Sequence, residues 1–481
     1  MDSSQNQLCE ALAESALTRA VPAKPKRIAS VRTSPGGYFA TAAFFTFVSL
    51  VLLRTHHDLA ALVLTTGTWS IIPLLLFTDR LHFNGQTISR TGLVALISRL
   101  LRARGQSSSI EDIERVDIAT LRTVRRGGSV RYRYRVEIAA REQAFTFSSG
   151  GESFRQMVRT LLPRVLDQKL DARALELRDH LRDARSVRIE ARRAGIAPTS
   201  VLEQTAEKTR NRIDKRRRED ADPELPADGA ERGTMLRKTA NDLRVVGRLR
   251  ESGEAFRRAL LISPREPWLI YEYARLLRSQ ASAFGDARLL GRACAALRLA
   301  ATRGSDDARL LERVAESFLE YADPYRAAKV FRQALEIDQN AYRAQVGLAE
   351  VALIDGKLAH VIHHYNEAVR TAPDQAAARL ARREADYYAR LNNDEDYLAA
   401  ELRRMNWLEG SGRVQQLAAR LSFAALLVAL VGPSVNQVLA GVGWALASSS
   451  IIAWTGSLLT GRFTSTAGRK GWCRPRDRSG R

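Results

Sequence analysis

Cysteine is scarce: Cys9, Cys294 and Cys473 are the only three in 481 residues, far apart along the chain. This excludes a disulfide framework and a cysteine-rich zinc module. There is no GxxxxGK[ST] loop, no GxSxG elbow, no GxGxxG turn after a strand and no CxxC pair. No motif therefore argues for catalysis, a metal or an organic cofactor, and none of these is expected. The first thirty residues hold no apolar run, so no secretory leader is expected there. Acidic residues are in deficit, 53 against 75 Lys and Arg, which leaves a formal charge of +22. At 45% hydrophobic the chain is too apolar to be wholly disordered, and its length suggests two to four folding units.

The apolar residues are concentrated at the two ends. Residues 37–53 and 59–77 carry no charge, and five residues, Arg54 to Asp58, separate them. Residues 417–435 are apolar apart from Arg420, and 438–459 are uncharged, with Gly432-Pro433 and Asn436-Gln437 marking a turn between them. A bilayer core needs about 20 apolar residues, so four spans in two hairpins are expected. A buried hairpin of a soluble core is the alternative. Lys24, Lys26, Arg27 and Arg32 precede the first span, and Arg80 and Arg90 follow the second. Arg403, Arg404 and Arg413 precede the third, and seven Lys or Arg from Arg462 to Arg481 follow the fourth. By the positive-inside rule both termini and the central region face the cytoplasm of an inner, plasma-membrane location. Reduced cysteines suit that compartment.

The segments then divide as a basic tail (1–36), a membrane hairpin (37–77), an α+β domain (78–167) and a charged helix with linker (168–232). A helical repeat region (233–410), a second hairpin (417–459) and a basic tail (460–481) follow. In the α+β part, Val130, Tyr132, Tyr134, Val136 and Ile138 alternate with charged residues, the period of a strand. Arg126-Gly127-Gly128 turns this strand back onto one around 116–124, Asn84-Gly85 signals another hairpin, and Phe145 with Phe147 marks a short strand. From Glu152 the period becomes helical through Phe154, Met157, Val158, Leu161, Leu162, Val165 and Leu166, with Pro163 expected to kink the helix. A strand meander closed by one helix, directly after a membrane hairpin, resembles bacterial pleckstrin-homology-like (PH-like) domains. Arg131, Arg133 and Arg135 form a basic stripe that can meet anionic lipid or simply face water. Leu93 to Ile97, followed by Arg99, Arg102 and Arg104, suits either an amphipathic surface helix or a packed connection.

Residues 168–218 are charge-dense, with Leu170, Leu175, Leu177 and Leu181 the only apolar cluster, and they end in Lys215 to Arg218. Residues 221–233, with Pro223, Pro226 and Gly229, read as a flexible linker. Acidic residues are interspersed through the basic run and no aromatic interleaves it, so nucleic acid is not expected.

The repeat carries the functional argument. Residues 308–341 and 342–375 are two blocks of thirty-four in one register. Ala322 and Gly356 stand at position 15, Ala327 and Val361 at 20, Phe331 and Tyr365 at 24, Ala334 and Ala368 at 27, and Pro373 at 32. An earlier block gives Gly247, Phe256, Ala259 and Pro264 at 15, 24, 27 and 32. Trp268, Ala293, Leu297 and Ala300 complete another if about nine residues are inserted near 279–285. Residues 376–402, with Tyr387, Tyr388 and Ala399, read as a degenerate fifth pair or cap. This pattern resembles the tetratricopeptide repeat (TPR). The resemblance implies a mainly α fold: a TPR helical solenoid plus the small PH-like domain, flanked by two transmembrane helical hairpins.

In such solenoids the first helix of each repeat lines a concave groove. Position 9 gives Asn241, Tyr273, Glu316, Glu350 and Glu384, and the last three form a carboxylate ladder for a basic or hydrogen-bond-donating partner segment, unless they pair locally as Arg313 with Glu316. Arg237 and Asn241, with Arg309 and Arg313 two repeats on, resemble the carboxylate clamp of chaperone-binding repeat domains, although arginine replaces lysine and Ile270 stands where asparagine is expected. His360, His363, His364 and Glu367 lack the HExxH arrangement and read as surface residues. The expected function is a membrane-anchored scaffold that binds a protein or peptide in its cytoplasmic groove. The alternative is a membrane-bound enzyme or transport or assembly accessory built on the four spans.

Overall fold

The computed structural model describes residues 28–33, 36–93, 95–96, 107–124, 130–141, 143–199, 202, 227–434 and 436–467. The tails before Ile28 and after Ala467, the basic run Lys215 to Arg218 and the cations Arg99, Arg102 and Arg104 lie outside the described residues. So do Val94 and Ile97 of the segment from Leu93 to Ile97, and the turn Arg126-Gly127-Gly128.

Two antiparallel sheets build the N-terminal half. The first has the order β1 (Ala29–Arg32), β2 (Arg80–Phe83), β3 (Thr87–Thr91) and β4 (Ser107–Ser109). The second runs β5 (Ile113–Val124), β6 (Val130–Ala140) and β7 (Gln143–Ser148). β5 and β6 pair from Val124↔Val130 to Ile113↔Ala140, where the period-two alternation places them. Thr33 bridges Phe147 and so joins the sheets. Helix α3 (Gly151–Leu161) buries Phe154, Met157, Val158 and Leu161 against the strand residues Leu81, Phe83, Ile113 and Val136. Its end corrects the sequence reading. The helix stops at Leu161 and the Leu-Pro-Arg that follows is a 3-10 turn, because Pro163 cannot donate to an α-helical ladder.

β1 falls inside the segment read as a basic tail. It pairs with β2 across the hairpin of α1 (Gly36–Arg54) and α2 (Asp58–Thr78), so the hairpin is spliced between two neighbouring strands. Asp79 is fully buried at the hairpin base. Its carboxylate accepts from Thr33 Oγ1 (2.6 Å), Tyr38 OH (2.5 Å) and Arg90 Nε and Nη2 (2.8 and 2.6 Å).

After α4 (Ala172–His180) and α5 (Ala184–Arg193) come five consecutive helix pairs. They are α6 (Ala227–Val246) with α7 (Leu249–Ile262), α8 (Pro267–Phe284) with α9 (Ala287–Arg303), and α10 (Ala308–Glu320) with α11 (Pro324–Ile337). Then follow α12 (Tyr342–Ile354) with α13 (Leu358–Arg370), and α14 (Gln375–Asn393) with α15 (Glu395–Val431). α10 and α12 begin thirty-four residues apart, as do α11 and α13. Ala327, Ala334, Val361 and Ala368 are fully buried where the helices of each pair meet. The Phe331 ring lies so close to Gly347 of the next pair that a Cβ there would sit 2.2 Å from it. α8 has eighteen residues where α10 and α12 have thirteen, so the insertion lengthens a helix and leaves the stacking intact. The linker reading of 221–233 is corrected from Ala227 on, while 221–226 lie outside the described residues. α6 begins at Ala227, and Gly233 is helical, packed against Ile262.

Among the described residues two helices, not the expected four, are long and apolar enough to cross a membrane: Asp58–Thr78 and Gln437–Ser457, the latter within α16 (Gln437–Ala467). The apolar helix in the first expected span is Thr41–Arg54, part of α1. The third expected span is the end of the 37-residue α15, which stops at Val431 before a 3-10 turn, Gly432–Ser434. Its apolar part, from residue 417, is roughly 22 Å long at 1.5 Å per residue, against about 30 Å of hydrocarbon. The two hairpins touch. Phe47 of α1 packs with Ala425 of α15 and Ala447 of α16, and the Arg54 guanidinium lies 5.4 Å over the Trp444 ring.

Candidate functional site: the inner face of the helix stack

The first helices of the pairs line one face of the stack, and the chain's own N-terminal half lies on it. α4 brings Glu176 between α6 and α8. Arg244 Nη1 donates to Glu176 Oε2 at 3.0 Å, and Arg275 Nε to Oε1 at 2.8 Å. Arg275 also reaches Glu320 of α10 at 2.7 Å. Burial alone would raise the Glu176 pKa, but the two guanidinium charges and their hydrogen bonds outweigh it and hold the group down at about 2.

Further along, Arg343 of α12 donates through Nη1 to the main-chain carbonyls of Asp167 and Leu170, both at 2.8 Å. Its Nε and Nη2 bind Glu316 at 2.8 and 2.5 Å. Lys169, only 5% exposed, pairs with Asp374, the N-cap of α14. β5 and the turn before it complete the contact, with Glu114 of β5 bound by Arg383 at 2.8 Å and the preceding Asp112 by Arg379 at 3.3 Å. Near the α6–α7 turn, Tyr134 OH donates to the Val245 carbonyl at 2.9 Å. The strand residue Val130 and the α5 residues Val187 and Ala191 share a core with Leu236, Leu243 and Phe256.

The sequence-derived groove residues are distributed as follows. Glu316 serves Arg343. Glu350 faces Arg115 of β5 at 3.9 Å. Glu384, 4% exposed, borders a cavity of about 20 Å³ with Arg115 and Tyr342, room for no more than one water. The position-9 carboxylates thus all meet arginines or lie beside one, and two of those contacts come from the N-terminal half. Arg237 and Asn241 do hold a carboxylate, that of Glu272 on α8, at 2.7–2.8 Å. Arg313 lies 3.7 Å from Glu316 on its own helix, and Arg309 is exposed. Tyr273 packs its ring 6.1 Å from Phe256, between helix pairs. Arg131, Arg133 and Arg135 are exposed on β6, and Arg135 pairs with Glu137 at 2.9 Å. His364 Nδ1 lies 3.0 Å from Gln345 Oε1, and burial, then the nearby His363 and His360, push its pKa down to about 4.

Sequence reasoning missed Arg343, Arg275, Arg244, Glu176 and Lys169. Their one signal was Leu170, Leu175 and Leu177, which are buried in the sheet core and hold the intervening charges against the stack.

No protein-family model matches this chain, and no curated protein matches it. Among solved structures it is similar to the crystal structure of MamA protein, at 15% identity and a TM-score of 0.25, over 35% of this chain and 96% of that one.

Proposed function

We propose that this chain is a membrane-anchored scaffold of tetratricopeptide type that holds a protein partner on the inner face of its helix stack. The observation that carries the reading is the donation of Arg343 to two main-chain carbonyls. This is recognition of polypeptide as polypeptide, made by a side chain on the first helix of a repeat. The occupant in this structure is the chain's own segment around Asp167 to Leu170. A partner therefore reaches the inner face by exchange with that segment.

The membrane half of the reading rests on exposed apolar surface. Leu59 is 81% exposed, and Leu62, Val63 and Trp69 of α2 and Val438, Val442 and Ile452 of α16 are also exposed. Contiguous surface of that kind marks contact with lipid or protein. The surplus of cations outside the apolar runs supports a stack on the cytoplasmic side. Anchoring there raises the effective concentration of a partner without chemistry of its own.

The test is cross-linking in intact cells followed by identification of partners, with Lys169→Met and Arg343→Met beside the wild type. K169M should release the cis segment and increase partner capture, and R343M should reduce it. An identical partner profile in all three proteins would remove the inner face from the reading. Release of the chain by alkaline extraction of membranes would remove the anchor.

A further inference from the structure

Arg32 of β1 and Arg80 of β2 are register partners, directly opposite one another. Both side chains are exposed, on the sheet face opposite buried Val31 and Leu81. Like charges facing each other across two strands repel. Among the described residues neither has a carboxylate within ion-pair distance, and the nearby Asp79 is engaged by Arg90. Arg80 stands two residues past Thr78, where the span-length helix ends, and the register sets Arg32 at the same height. The Arg32 guanidinium is positioned 5.4 Å over the ring of Phe77, itself 56% exposed in the last turn of α2. On its other side Arg80 is the register partner of Thr91, whose hydroxyl donates to the Arg80 main-chain carbonyl at 3.4 Å. Two planar cations on register partners therefore stand where the apolar surface of α2 stops.

We propose that the Arg32–Arg80 pair seats the phosphate of an anionic phospholipid headgroup. The seat rests on the membrane reading above. Guanidinium groups bind phosphate through paired N–H donors, and a shared anion turns their mutual repulsion into attraction. A lipid suits the place better than a free ion, because the exposed Phe77 and Leu74 give its acyl chain an apolar wall beside the cations.

The experiment is native mass spectrometry of the full chain, purified in mild detergent and titrated with phosphatidylglycerol or phosphatidylcholine. The wild type should retain phosphatidylglycerol in preference, and Arg32→Gln with Arg80→Gln should weaken that retention about tenfold. Arg131→Gln with Arg133→Gln should leave it unchanged, and unaltered circular dichroism should accompany every variant. Equal retention by the wild type and the Arg32/Arg80 variant would overturn the seat. Displacement of the lipid by millimolar inorganic phosphate would overturn the lipid assignment in favour of a free anion. Alkaline extraction separates the two readings: a chain that stays in the pellet yet shows no preference loses the seat alone, and a released chain loses the membrane.

Discussion

The main-chain carbonyl of Gly247 accepts the amide of Val130 at 3.0 Å, so the turn between α6 and α7 continues the hydrogen bonding of β6. Gly247 has φ +91°, and a Cβ on it would stand 1.8 Å from the Val130 carbonyl oxygen. The glycine that the repeat places at position 15 is therefore also the point where the sheet docks on the stack.

Gly247→Ala should cost roughly 2–4 kcal/mol, since it adds a steric clash to the cost of positive φ. Gly356, at the equivalent position with φ +74° and nothing within 4 Å of its added Cβ, is the control. Gly356→Ala should cost only about 1 kcal/mol. Denaturant unfolding of the detergent-purified chain measures both.

Glu176→Gln leaves Arg244 and Arg275 without their shared carboxylate and should cost about 3–5 kcal/mol. The sign of its pH dependence follows from the lowered pKa. The folded state holds Glu176 ionised down to about 2, whereas the unfolded chain protonates it near the ordinary value of 4.5. Its contribution is complete above that value and is lost as pH falls toward 2. The stability gap between wild type and E176Q should narrow across that window.

His364 titrates in a different range. Its folded pKa of about 4 lies below the ordinary 6.5, so the unfolded state binds the extra proton between them. Stability from this group falls as pH drops from 6.5 to 4, and His364→Gln should flatten the slope there. Unfolding midpoints at the two ends of the window decide it.

Asp79→Asn removes the charge on which Arg90, Thr33 and Tyr38 converge, and should cost about 2–4 kcal/mol locally. Amide hydrogens of Ala29–Arg32 should exchange faster while those of α10 to α13 are unchanged. Equal acceleration everywhere would mean that the hairpin base and the helix stack open together.

What the sequence revealed was whatever repeats or alternates. The phase carried by Ala327, Phe331 and Ala334 and again by Val361, Tyr365 and Ala368 located α10 to α13, because small residues at fixed spacing are a packing requirement that leaves a periodic trace. The alternation at Val130 to Ile138 located β6 for the same reason. β1 left no such trace, since four residues, Ala-Ser-Val-Arg, are too short for a period and their partner lies fifty residues away beyond a hairpin. Ala227 to Gly233 read as linker because Pro223, Pro226 and Gly229 cluster around its start, and the packing of Gly233 of α6 on Ile262 overrides that. The inner-face contacts were least visible. Glu176 and Lys169 look like solvated charges until the tertiary fold brings Arg244, Arg275 and Asp374 to meet them.

The splice of α1 and α2 between β1 and β2 also constrains how the molecule is made. Strands that pair side by side can zip together only when both ends of the inserted hairpin return to one side, so the first sheet works as a topology lock. If one helix crossed a bilayer and the other failed to return, β1 and β2 would be stranded on opposite sides and β2 would keep an open edge. On the membrane reading proposed above, correct threading and completion of the sheet would be a single event.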